Sequence, residues 1–270
     1  MSSIGIIKLL KIPKTHTYDC KMFVAQTSYA GKLKALFEVL FSNMSTVCLT
    51  IDARGIRSEI LTNHNMLICV DLPAECFDEY SFEFDEPQYI GLGSHVNHFF
   101  KSLKNKTVVK FTIDKPFVLD IEIKYTVEDY VISYSSNIES MQNIASCPIE
   151  TYDCEGIAIS SSNFNQMCKS FRTTLIDVTK RDGQLLFSFE IAGISSKKLE
   201  FGKKQPEDTS LYFNTFKSDY FVRIGKLASF VTEPIKIYAE RSPDGEDKKL
   251  MIEAISSIGT VRIFMDSVKE

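Results

Sequence analysis

No stretch of the chain approaches the roughly 20 uninterrupted apolar residues needed to cross a bilayer. The run Leu67 to Leu72 is broken by Asp71 and followed by Pro73, so a membrane span is not expected. The apolar start (Ile4, Ile6, Ile7, Leu9, Leu10) is interrupted by Lys8 and Lys11 and followed by no small-residue cleavage site, which argues against secretion. There is no C-x-x-C pair. The seven cysteines, Cys20, Cys48, Cys69, Cys76, Cys147, Cys154 and Cys168, are odd in number and widely spaced; that excludes a disulfide scaffold and suits reduced, packed thiols in an intracellular compartment. A G-x-S-x-G elbow is missing, and Gly91-Leu92-Gly93 lacks the third glycine of a dinucleotide loop. His95 and His98 have no cysteine or carboxylate beside them on their segment. No catalytic residue, metal ligand or cofactor site is therefore expected. A basic surplus is missing too, since 31 Lys and Arg face 35 Asp and Glu.

What is present is enough apolar material for two domains: 270 residues, 44% of them hydrophobic. Four segments have helical apolar spacing. Ala30 to Met44 uses Leu33, Leu36, Phe37, Leu40 and Phe41, and Ser94 to Lys104 uses Val96, Phe99, Phe100 and Leu103 behind a capping Ser94. Ser161 to Arg172 uses Phe164, Met167, Cys168 and Phe171, while Asp219 to Phe230 uses Tyr220, Phe221, Ile224 and Leu227 behind a capping Asp219. Strand-like runs follow each segment and flank turn residues: Asp52-Ala53-Arg54-Gly55, Asp114-Lys115-Pro116, Lys180-Arg181-Asp182-Gly183 and Ser242-Pro243-Asp244-Gly245.

The order strand, helix, hairpin, more strands, helix, hairpin thus occurs twice, as an internal duplication would produce. The expected fold is α+β, two similar domains each with two helices on one face of antiparallel sheets. Residues 19–134 and 150–270 form the domains, 135–149 a Ser/Asn-rich connector and 1–18 an N-terminal extension.

Charge is sorted along this pattern. The four helical segments hold Lys32, Lys34, Lys101, Lys104, Lys169, Arg172, Arg223 and Lys226 against only Glu38 and Asp219, leaving 23 basic and 33 acidic residues elsewhere. On the second segment His95, His98, Lys101 and Lys104 follow at three-residue steps, a polar stripe beside the apolar one. Helices gathered on one side of the sheets would present one cationic surface, suited to sequence-independent phosphate contact.

K-L-K-A-L-F-E-V-L from Lys32, L-T-I-D-A-R-G-I from Leu49 and Y-I-G-L-G-S-H-V-N-H-F-F-K-S-L-K-N from Tyr89 are similar to segments of one family. So are C-P-I-E-T-Y-D-C from Cys147, N-F-N-Q-M-C-K-S-F from Asn163 and I-G-T-V-R-I-F-M from Ile258. In this order, over about Cys20 to Val268, they resemble the DNA sliding clamps of the proliferating cell nuclear antigen family.

The resemblance implies a processivity factor that is not an enzyme: a homotrimeric ring around duplex DNA, with sheets outside and basic helices inside, in the nucleus or at a viral replication site. Lys32, Lys34, Lys101, Lys104, Lys169, Arg172, Arg223 and Lys226 would face DNA, with His98 in place of a usual lysine and so a weaker contact near neutral pH. Polymerases and other replication or repair proteins would dock through short hydrophobic motifs on Leu61, Met66, Ile68 and Phe264, with Ile138, Met141 and Ile144 from the connector; a clamp loader is a further expected partner. Rings would close by pairing Val118, Ile121 and Ile123 of one subunit with Leu199 and Phe201 of the next. A checkpoint-type heterotrimeric clamp subunit and a monomeric or dimeric processivity factor share the fold and stand as alternatives. The extension before the first strand and the near absence of an acidic tail after Phe264 mark a distant, viral-type member.

Overall fold

Alternating and helical spacing become strands and helices where expected. A computed structural model describes residues 21–62, 65–115, 117–126, 130–141, 149–191, 195–205, 211–242, 244–245 and 247–268. The N-terminal extension and residues 142–148 of the connector, including Ile144, lie outside the described residues.

The N-terminal part contains β1 (Phe23–Thr27), α1 (Ala30–Asn43), β2 (Thr46–Asp52), β3 (Gly55–Leu61), β4 (Met66–Pro73) and β5 (Glu79–Phe82). It continues with β6 (Gln88–Gly93), α2 (Asn97–Ser102), β7 (Thr107–Lys115), β8 (Val118–Tyr125), β9 (Tyr130–Asn137) and β10 (Glu139–Ser140). The C-terminal part contains β11 (Ile157–Ile159), α3 (Ser161–Ser170), β12 (Leu175–Arg181), β13 (Gln184–Ile191), β14 (Ser195–Phe201) and β15 (Tyr212–Lys217). Then come α4 (Ser218–Ile224), α5 (Leu227–Phe230), β16 (Ile235–Tyr238), β17 (Leu250–Ser256) and β18 (Gly259–Met265). The protein is α+β, with every strand pairing antiparallel. Among the described residues no helix is long and apolar enough to cross a membrane.

Three sheets form. Their strand orders are β5-β1-β7-β8-β9, then β10-β6-β2-β3-β4-β18-β17-β16-β11, and β14-β13-β12-β15. The order β6-β2-β3-β4 matches β15-β12-β13-β14, and β1-β7-β8-β9 matches β11-β16-β17-β18. The two parts of the chain meet in the nine-stranded sheet, where Met66↔Met265, Ile68↔Ile263 and Val70↔Val261 pair β4 with β18.

Local chemistry explains the turns. Asp182 and Gly183 both have positive φ (51° and 72°), as a tight two-residue hairpin turn demands. In the other hairpin the Asp52 carboxylate accepts the Arg54 amide at 2.8 Å and pairs with the guanidinium groups of Arg54 and Arg57. Burial raises the Asp52 pKa, but hydrogen bonds from Arg54 and the charges of Arg57 and Arg54 outweigh it, so the net shift is downward. A carboxylate acidified by folding contributes stability above its ordinary pKa and loses it as pH falls through the folded value. Asp52→Asn should therefore cost about 1–2 kcal/mol at neutral pH and flatten the loss of stability below about pH 4, measured by urea unfolding at several pH values. An acid limb identical to the parent's would refute this.

The helices rest on burial more than on caps. In α1, Leu33, Leu36, Phe37 and Leu40 are all buried, although no side chain caps its start. Among the described residues only α3 has a side-chain cap: Ser160 Oγ accepts the Asn163 amide at 3.3 Å. Two expected caps differ. Ser94 opens a 3-10 turn ahead of α2 without a capping bond, and Asp219 sits inside the first turn of α4, where it binds Arg223 four residues on. The last helical segment is interrupted at Gly225, where an added Cβ would stand 3.3 Å from Cys168 Cβ of α3. The expected connector also begins later, because Ser135 to Asn137 complete β9 and Glu139–Ser140 form β10.

Candidate nucleic-acid interface

The helices pack side by side in the order α2, α1, α4 with α5, then α3. Their apolar residues join one core with the sheets; Phe37 stacks on Phe100 between α1 and α2, and Phe221 meets Phe171 edge-on at 5.3 Å. Side chains on the opposite helix faces are thereby directed away from the core.

The nine cationic or imidazole residues expected at this surface divide into two groups. Lys101, Lys104, Lys169 and Arg172 are exposed, and among the described residues no carboxylate pairs with them. Lys104 lies 5.3 Å from the Tyr125 ring, a contact that leaves its charge open to solvent. The exposed His98 ring stands edge-on to Tyr134 at 6.4 Å, and His95 Nε2 is 3.0 Å from Ser136 Oγ.

The other four cations hold helices together. Lys32 Nζ donates to the carbonyls of Ser229 (3.2 Å) and Val231 (2.6 Å) at the end of α5, and burial lowers its pKa. Lys34 Nζ donates to Lys101 O (2.6 Å) and Leu103 O (3.3 Å) at the end of α2. Arg223 Nη1 donates to Ser42 O at 2.7 Å while its Nε binds Asp219 at 2.6 Å, and Lys226 pairs with Glu38 at 3.2 Å. Cations on the carbonyl ends of helices satisfy acceptors the helix leaves unpaired. Lys32, Lys34 and Lys226 also line an open crevice of about 480 Å³ between α1, α2 and α5, with Tyr29 and Asn105 on its wall.

The residues expected to bind partners are not together. Met66 and Ile68 are fully buried (0% exposed) in the main core beneath the helices, so they offer no surface. Phe264 belongs to a second cluster on the opposite face of the nine-stranded sheet, with Leu67 and Met251 and the partly buried Cys69, Tyr152 and Tyr238. Cross-strand pairing sets Leu61, Leu67, Phe264, Met251 and Tyr238 in one row over β3, β4, β18, β17 and β16. Leu61, 60% exposed, is its open end. Tyr152 lies over the row, 6.3 Å from Phe264 and 5.9 Å from Tyr238. The signal for Leu67 was the unbroken apolar run Met66 to Val70, which marks a strand covered on both faces. Ile138 is buried and Met141 half-buried at the start of the connector.

The expected subunit edge also differs. Val118, Ile121 and Ile123 lie on β8, which is bonded to β7 on one side and β9 on the other, with Ile121 and Ile123 in the core. A strand paired on both sides has no backbone groups left for another chain. Among the described residues β9 is an edge strand of this sheet, and Tyr130, Val131 and Tyr134 on it are exposed. Leu199 and Phe201 do lie on an edge strand, β14, beside exposed Lys197 and Lys198.

The chain matches no known protein-family profile. It is 26% identical over 190 residues to an uncharacterized protein, 084R, of Frog virus 3 (isolate Goorha), in a match covering 67% of this chain and 76% of that one.

Proposed function

We propose that this protein is a DNA sliding clamp: a ring-forming, non-enzymatic processivity factor that encircles duplex DNA and tethers replication and repair enzymes to it. The observation carrying this reading is the single helix layer, on which Lys101, Lys104, Lys169 and Arg172 are exposed with no carboxylate partner among the described residues, in a chain that is acidic elsewhere. Such cations bind phosphates weakly and without sequence preference, which lets a closed ring slide.

The matching strand orders support a duplicated clamp fold and a route to closure. In them β14 corresponds to β4 and β9 to β18. The pair β4–β18 is made within the chain, whereas both counterparts are edges, so β9 of one protomer adding to β14 of the next repeats an existing joint head to tail. Counting from the hairpin turns and from the strands before α1 and α3, Leu199 corresponds to Val70 and Ile132 to Val261. Leu199 of one protomer therefore faces Ile132 of its neighbour.

Light scattering tests the ring. Three times the chain mass of 30.7 kDa is expected, with Ile132→Asp or Leu199→Asp giving monomers. A parent protein that stays monomeric at micromolar concentration rejects homotrimer closure.

The end of the apolar row exposed at Leu61 is the proposed seat for partner motifs in place of Met66 and Ile68, with Leu67, Phe264 and Met251 as its buried floor. Work at a viral replication site or in the nucleus belongs to this proposed reading.

A further inference from the structure

Charge is spread unevenly along the helix layer. Its two carboxylates, Glu38 and Asp219, lie on the inner helices α1 and α4, whereas α2 and α3, which end the layer, carry none. Exposed Lys101 and Lys104, in and just after α2, and exposed Lys169 and Arg172, in and just after α3, therefore stand at its two ends.

Within the chain the two halves meet between α1 and the pair α4 and α5, and side chains tie that seam. Lys226 pairs with Glu38 at 3.2 Å, Lys32 donates to the carbonyls of Ser229 and Val231, and Arg223 donates to Ser42 O. The buried residues Leu33, Leu36, Phe37 and Leu40 correspond in spacing to Phe164, Met167, Cys168 and Phe171, which are buried too. That correspondence puts Lys169 in the place of Glu38 and Asn163 in the place of Lys32. Val96, Phe100 and Leu103 correspond likewise to Tyr220, Ile224 and Leu227, so Ser102, next to Lys101, stands for Lys226. A joint that adds β9 of one protomer to β14 of the next brings α2 of the first against α3 of the second, as β18 on β4 brings α5 against α1. Lys169 then meets Ser102 and Lys101. Where the seam inside the chain attracts, the seam between protomers repels.

We propose that each seam between protomers is a composite polyanion site, Lys101 and Lys104 of one copy with Lys169 and Arg172 of the next, and that duplex DNA bound there strengthens closure of the ring. The inference rests on the clamp reading and names what regulates its closure. Duplex DNA carries about one negative charge per 1.7 Å of axis, dense enough to neutralise both sets of cations at once. A lone protomer offers each half of the site separately, so DNA binds the closed form better and, by linkage, favours it. Screening by salt acts in the same direction, which is the reverse of a seam held by opposite charges.

The test is fluorescence-detected sedimentation of the labelled full chain at nanomolar concentrations. Raising salt from about 0.05 M to about 0.5 M should tighten trimerisation of the parent about tenfold, and a short linear DNA duplex at the lower salt should tighten it at least as much. Lys169→Glu recreates the pairing of Glu38 with Lys226 and should reverse the salt dependence, giving trimers that are tightest at low salt without DNA. Leu199→Asp keeps all four cations but breaks the strand joint, so DNA should gather no trimers of it. Parent trimers that weaken as salt rises, that ignore the duplex, or that respond to salt as Lys169→Glu does, overturn the proposal and leave the ring standing. Three-fold accumulation of Leu199→Asp on the duplex also overturns it, because protomers would then only line up along DNA. A parent that is monomeric at micromolar concentration at both salts, with and without duplex, rejects the ring itself and this inference with it.

Discussion

Replacing Lys101, Lys104, Lys169 and Arg172 together with glutamate should reduce binding to linear duplex DNA by about three orders of magnitude at low salt. Each lysine or arginine that neutralises a phosphate contributes about 0.9 to the slope of log affinity against log salt, so losing four contacts lowers that slope by roughly three to four. The four side chains are exposed and lie outside every ion pair found among the described residues, so unfolding should proceed at the parent temperature. DNA titrations at several salt concentrations, beside a thermal melt, read both quantities. A salt slope unchanged by four reversals would remove the helix layer from DNA binding and with it the reason for proposing a clamp.

A reversal at Lys32 should do something different: destabilise the fold by about 2–4 kcal/mol, whether or not DNA is bound. Its ammonium joins α1 to the carbonyl end of α5, so a glutamate would leave Ser229 O and Val231 O unpaired and set a carboxylate against them. Lys32→Met removes the bonds without the repulsion and should cost less than half as much. Burial lowers the Lys32 pKa, so the unfolded chain holds that proton more tightly than the folded one. The sign follows: this group makes stability rise as pH climbs toward the ordinary lysine value near 10.4, and Lys32→Met should lack the rise. Urea denaturation of the three proteins between pH 7 and about 10 measures it. If Lys32→Glu unfolds at the parent's urea midpoint, Lys32 is not structural. Arg223, bound to Ser42 O and Asp219, belongs with Lys32, and a charge-reversal set mixing the two groups would confuse lost DNA contact with a loosened helix layer.

These two groups of cations look alike in the sequence. Helical spacing places Lys32 and Lys101 on solvent-facing stripes, but whether an amine meets water or the end of a neighbouring helix depends on how helices distant in sequence cross. The same limit applies to β4. The apolar run Met66 to Val70 reveals a strand covered on both faces, while only its pairing with β18 tells which face carries Leu67 and Phe264. Helix faces and hairpin turns are legible because their determinants lie within a few residues. Strand β9 was partly hidden because exposed Ser133, Tyr134 and Ser135 lack the one-sided burial that makes a strand alternate.

The nine-stranded sheet has a temporal consequence. Its middle seam joins Val70 to Val261, so during synthesis on the ribosome β4 must wait for most of the chain to emerge before β18 can cover it. Through that interval an apolar edge stands bare, at the stage when nascent chains are most prone to stick together. Contacts so distant along the chain also slow folding.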